Sequence, residues 1–161
     1  ATFDAPCEQL FTDYWDKYEE SAYRNKNTSL AQKIATFTPN VELIHHAVKD
    51  SGIVKGRDFV MTRIHRRINN EIIVAVRSYD TDEIKPHKKK IRSRILLGGG
   101  RFRIHPQDSQ KSIIDFLICL DYSSIDLTKS VLESTISKHI LQDTEWIRKD
   151  IEKHRRGESN K

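Results

Sequence analysis

Two cysteines in a 161-residue chain cannot form the disulfide framework that staples small secreted folds. Cys119 sits inside Phe116-Leu117-Ile118-Cys119-Leu120, where a thiol packs as a small hydrophobe, and Cys7 opens a helix. No apolar run is long enough to span a bilayer, and no stretch has the layout of a signal peptide. The expectation is a cytoplasmic protein, so the formal glycosylation sequon Asn27-Thr28-Ser29 is not expected to be used. Metal-ligand spacing is missing too. The seven histidines are scattered, and the adjacent pair His45-His46 would face opposite sides of a strand. Glycines cluster at Gly98-Gly99-Gly100, but no Lys-Ser/Thr follows, and the next segment reads as a strand, so this is a flexible hairpin and not a phosphate loop. No serine has the nucleophile-elbow pattern and no paired carboxylates stand out. The chain is therefore expected not to be an enzyme, and to use neither metal nor cofactor.

Charge is plentiful. Charged residues make up 32% of the chain and apolar ones 37%, which fits one domain over residues 1–161 with a heavily charged shell. The net charge of +5 favours an acidic partner. Lys85, Lys88, Lys89, Lys90, Arg92 and Arg94 form one basic run. No aromatic residues interleave with it, so base stacking has no support and nucleic acid is not an expected partner. The alternatives are a solvated loop or docking to anionic lipid headgroups through Lys88, Lys89 and Lys90, at about 1 kcal/mol per basic residue near the surface.

Periodicity lays out the elements. Asp4 reads as a helix cap with Pro6 in the first turn. Leu10, Phe11, Tyr14, Trp15 and Tyr18 follow at helical spacing, which predicts a helix to about Glu20. Strands are expected over 30–37, 41–48, 58–68, 71–79, 91–97, 101–105 and 112–122. Asn69-Asn70 is a two-residue hairpin turn. A long helix is expected over 126–156, stopped by Gly157, with residues 157–161 a flexible tail. Short turns between consecutive strands favour a curved antiparallel sheet, with the final helix across its concave face as a lid.

Gly56-Arg57-Asp58-Phe59-Val60-Met61-Thr62-Arg63 is the most informative stretch. Alternation puts Phe59, Met61 and Arg63 on one face of a strand, so an always-charged group shares a face with apolar neighbours. Arg-Asp-Phe-Val-x-x-Arg resembles a strand opening in START domains, the lipid-transfer domains related to the steroidogenic acute regulatory protein. Other elements follow in that family's order: Ala5-Pro6 with Leu10-Phe11 and Trp15-Asp16, then Pro86, Ile91-Arg92, Gly99-Gly100, Ile104-His105-Pro106 and Leu120-Asp121. The resemblance runs from about Asp4 to about Arg155, without the family's usual N-terminal helix and first strands. The first residue is not Met, so the chain is expected to be a piece of a longer protein.

The resemblance implies an α+β helix-grip fold: a curved antiparallel sheet wrapped around a long C-terminal helix. It implies a carrier, acting as a monomer and peripheral at membranes, that binds one lipid or sterol-like molecule. The expected ligand-binding residues are Phe59, Met61 and Arg63 on the strand and Ile136, Ile140, Asp143 and Ile147 on the lid helix. They belong to a stripe that also takes in Leu132 and Ile151. Cholesterol-binding relatives set an acid against the arginine; here it aligns at or next to His46, which supplies no negative charge. The family's Trp after the arginine that Arg24 resembles is absent. Ser124 and Leu127 stand where a Gly and a Pro usually leave the last strand. The missing first strands and the altered exit favour an alternative, a non-catalytic interaction module with a vestigial pocket.

Overall fold

A computed structural model describes residues 1–52, 54–121 and 128–157, without the side chains of Lys89 and Leu132. A short strand β1 (Thr2–Phe3) leads to helix α1 (Cys7–Trp15), which buries Cys7, Leu10, Phe11 and Trp15 at helical spacing. Pro6 occupies the N-cap with no side-chain hydrogen bond, so Asp4 does not cap this helix. The helix also stops at Trp15, five residues short of the expected end. A 3-10 turn (Tyr18–Glu20) and one turn of helix, α2 (Ser21–Arg24), follow. The apolar spacing through Tyr18 is real, but a buried guanidinium, described below, takes the carbonyls that would have continued the helix.

Seven strands follow: β2 (Thr28–Thr38), β3 (Val41–Val48), β4 (Arg57–Ile68), β5 (Glu71–Ser78), β6 (Ile91–Arg92), β7 (Ile95–His105) and β8 (Asp108–Leu120). The sheet order is β1-β8-β7-β5-β4-β3-β2, antiparallel throughout, with β6 added parallel to β4. Asn69 and Asn70 both have positive φ, 50° and 63°, and turn the β4–β5 hairpin as expected.

The three glycines do not form a hairpin. They lie inside β7, with Gly99 between Ala75 of β5 and Leu117 of β8. A Cβ on Gly99 would sit 2.0 Å from the Val74 carbonyl oxygen, so glycine is needed for close strand approach and not for a turn. The turn falls at Pro106-Gln107 instead.

The last element is α3 (Lys129–Arg155), about 40 Å long. The expected start at residue 126, the exit loop 122–127 and the tail beyond Gly157 lie outside the described residues. The tightest core is where α1 packs on the sheet: Phe3, Leu10, Phe11, Trp15, Ile72, Phe102 and Ile114. Helix α3 joins that core near its C-terminus, through Ile151 and partly Ile147. Ion pairing of Arg24 with Asp150 and a 2.6 Å hydrogen bond from Arg155 to the Asp4 carbonyl hold that end down. Towards its N-terminus the helix stands off the sheet, and Ile140 stays exposed.

Candidate functional site

Alternation along β8 decides what faces that gap. Ser112 and Ile114 are fully buried, so Phe116, Ile118 and Leu120 point the same way. Yet Phe116 and Ile118 keep 48% and 43% of their surface. The space they face is a cavity of two lobes, about 270 and 280 Å³. Leu10, Phe102, Ile114, Phe116, Trp146 and Ile147 line the first. Phe59, Met61, Ile95, Ile118, Ile136 and Ile140 line the second. The lobes meet at His46, Val48, His139 and Asp143, which line both. Together they fall in the ~300–1,000 Å³ range of ligand pockets.

The waist is polar. His46 and Tyr18 hydrogen-bond at 3.0 Å. Burial pushes the Tyr18 hydroxyl well above its usual range and lowers the His46 imidazole to about 4, with Asp143 acting against the latter shift. Both are therefore neutral at pH 7. Asp143 Oδ1 accepts hydrogen bonds from the side-chain amides of Asn25 and Asn27, at 3.0 and 2.9 Å. The sequon asparagine thus spends its amide nitrogen on α3, and Thr28 beside it is buried.

Arg63 lies elsewhere. It is fully buried, faces inward and lines neither lobe. Its Nε and Nη2 donate to Glu42 Oε2 at 2.8 and 2.6 Å. Its Nη1 and Nη2 donate to the carbonyls of Tyr14 and Trp15 at 3.1 and 2.7 Å, so the guanidinium caps the C-terminus of α1. It also stacks over the rings of Trp15 and Tyr18, 4.1 and 4.5 Å from their centroids.

The acid opposite Arg63 is therefore Glu42 and not a residue at or next to His46. Antiparallel register pairs Glu42 with Arg63 and His46 with Phe59, so the acid stands four residues earlier on β3 than the resemblance implies. Alternation alone puts Glu42, Ile44, His46 and Val48 on one face, a signal that was present but did not choose among them. Asp143 does not pair with Arg63; it meets the two asparagines instead. Of the other expected site residues, Phe59, Met61, Ile136 and Ile140 line the second lobe, Ile147 the first and Asp143 both. No local pattern assigns Tyr18, Asn25, Asn27 or His139 to the waist, because each joins it only through tertiary contact.

The basic run is not uniformly solvated. Lys90 pairs with Asp50 at 2.7 Å, Arg92 with Asp58 at 2.5 Å and Arg94 with Asp80 at 2.7 Å. Asp58 is fully buried and also accepts from the His87 backbone N–H, with His45 Nε2 2.6 Å away. Burial opposes its ionisation, but these donors outweigh it and hold the carboxyl below its usual range. Lys85 and Lys88 have no ion-pair partner among the described residues. His45 points to this outer network while His46 points into the cavity, as strand alternation requires. Among the described residues no group of His, Cys, Asp and Glu could hold a metal ion, and no helix is long and apolar enough to cross a membrane.

Comparison with known proteins follows the same lines. A family model described as START domain matches residues 1–155. "Steroidogenic acute regulatory-like protein 1" of Caenorhabditis elegans is 30% identical over 140 residues, which is 86% of this chain. The chain spans about half of that relative's length, 54%. Among solved structures, human STARD10 superposes with a TM-score of 0.79 at 19% identity, covering 95% of this chain and 61% of that one. Human StAR-related lipid transfer protein 5 gives 0.80 at 14%, covering 96% and 74%. At such identities the likeness is one of fold.

Proposed function

The chain belongs to the START domain family, and on that premise we propose that it holds one lipid in the two-lobed cavity and carries it between membranes. The observation that carries this reading is the uncovered apolar wall. Phe116 and Ile118 face inward yet stay open, an arrangement that costs about 25 cal/mol per Å² of apolar surface until a ligand covers it. The carrier acts as a cytoplasmic monomer and performs no chemical step. Helix α3 is the lid, because it is packed firmly at one end only. Phe59, Met61, Ile136, Ile140 and Ile147 supply contact area.

Native mass spectrometry of protein purified from cells tests the proposal. One lipid per chain is expected, and purified protein should speed lipid transfer between vesicles. Protein that emerges empty and transfers nothing would leave the interaction-module reading in its place.

Docking to an anionic membrane is proposed for the basic segment, now resting on Lys85 and Lys88. Lys90 is occupied by Asp50, and the Lys89 side chain lies outside the described residues. Changing Lys85 and Lys88 together to Glu should weaken binding to anionic vesicles, read by sedimentation at low salt, by about thirtyfold or more, at roughly 1 kcal/mol for each lost cation plus the added repulsion. Binding to neutral vesicles should not change. Equal binding of parent and variant to anionic vesicles would make the segment an ordinary solvated loop.

A further inference from the structure

Most of the surface lining the two lobes is apolar, whereas three of the four side chains at the waist, His46, His139 and Asp143, are polar. Resting on the lipid-binding reading above, this order narrows the ligand further. Tyr18 Oη and His46 Nδ1 lie 3.0 Å apart, and Tyr18 has no other hydrogen-bond partner among the described residues. Its buried O–H is satisfied only by donating to Nδ1. Nδ1 is then the acceptor of a neutral imidazole, and the ring proton sits on Nε2. That N–H has no protein acceptor among the described residues, although His46 lines both lobes.

Asp143 lines both lobes from α3. Its Oδ1 takes both asparagine amides; its Oδ2 accepts no hydrogen bond, and no cation pairs with it among the described residues. The neighbouring cavity carboxylates are different: Asp13 pairs with Lys17 and Asp150 with Arg24. The waist therefore offers one free N–H donor and one free charged acceptor, with His139 beside them one helical turn before Asp143.

We infer that the ligand is an uncharged lipid with a hydroxyl in the middle of its apolar body. A hydroxyl is the small group that answers both sites at once. Its oxygen accepts from His46 Nε2–H, and its hydrogen goes to Asp143 Oδ2. A carbonyl would leave the carboxylate unanswered. A phosphate or fatty-acid carboxylate would set a second negative charge against Asp143. An ammonium would satisfy Asp143 but offer His46 no acceptor. Lobes of similar volume on either side of the waist place the hydroxyl at mid-molecule and not at one end.

The test offers the purified chain three probes in neutral vesicles: methyl stearate, the same ester with one mid-chain hydroxyl, and stearate anion. Mass spectrometry of the re-isolated protein then measures what is retained. The hydroxylated ester should be retained at least about tenfold over methyl stearate, the size of the charge-assisted bond to Asp143 with the His46 bond adding to it. In His46→Phe, with a native circular dichroism spectrum, the ratio should fall about threefold, the share of the neutral His46 bond, because Asp143 still accepts from the hydroxyl. The parent's own ratio needs no variant to fold. Equal retention of the two esters by the parent, preference for the stearate anion, or an unchanged ratio in folded His46→Phe would overturn this inference and leave the lipid-binding reading standing. Retention of no probe, by protein that also carries no lipid from cells, would overturn both.

Discussion

Arg63→Leu is expected to lose about 3–5 kcal/mol of folding stability, the cost of breaking a buried ion pair and leaving one partner uncompensated. Glu42 would keep its charge under α1, with Lys33, 3.3 Å from its Oε1, the one remaining cation paired with it among the described residues. The carbonyls of Tyr14 and Trp15 would lose their donor at the same time. Urea unfolding of parent and variant measures the loss directly. A second variant separates the pair from the packing. Glu42→Met combined with Arg63→Met removes both charges, and such paired replacement by apolar residues is often close to neutral. The double variant should therefore recover most of the stability, giving a large coupling term in the cycle. A residue that only anchors ligand behaves in the opposite way: its loss weakens lipid binding and leaves stability intact. Stability of Arg63→Leu within about 1 kcal/mol of the parent would return Arg63 to the ligand site.

Acidification from pH 7 to about 4 should cost the folded state about 3 kcal/mol through His46 alone, at 1.36 kcal/mol for each unit between its usual value of 6.5 and about 4. In the folded protein His46 stays neutral down to about pH 4; in the unfolded chain it takes a proton near 6.5. Between those values the unfolded state binds more protons, so stability rises with pH across the window. The contribution is complete above 6.5 and lost as pH falls through it. Burial lowers His87 as well, which adds in the same direction. The depressed carboxyls of Asp58 and Glu8 act in a separate window. Their stabilisation is present above the unfolded carboxylate values near 4 and lost only below them. His46→Gln retains an acceptor for the Tyr18 hydroxyl but does not titrate. Thermal or urea unfolding from pH 7 to 4.5 should show a shallower fall for this variant than for the parent, and parallel curves would mean that His46 is not the group responsible.

Both results turn on how far this chain could be read before folding. The strands β3, β4 and β5 and the turn at Asn69-Asn70 follow from alternation and from two residues that tolerate positive φ. Family and helix-grip fold followed from ordered short motifs, above all Arg57-Asp58-Phe59-Val60 with Arg63. The stripe on α3 named Ile136, Ile140, Asp143 and Ile147, because a helix repeats its face every three to four residues whatever it packs against.

Everything that depended on pairing between distant segments was decided by the tertiary structure. Helical spacing through Tyr18 gave no hint that α1 would stop at Trp15, since the guanidinium that caps it arrives from β4. Three successive glycines carry the composition of a turn, and only the approach of β5 and β8 within contact of Gly99 makes them strand. Lys90, Arg92 and Arg94 read as one solvated run until Asp50, Asp58 and Asp80 were brought beside them. Glu42 and His46 share a face of β3, and strand register alone assigned the first to Arg63 and left the second at the waist of the cavity. Periodicity is a property of neighbours along the chain. Register, burial and the partner of each charge are set by loop closure and by contacts across tens of residues, which a local pattern does not encode.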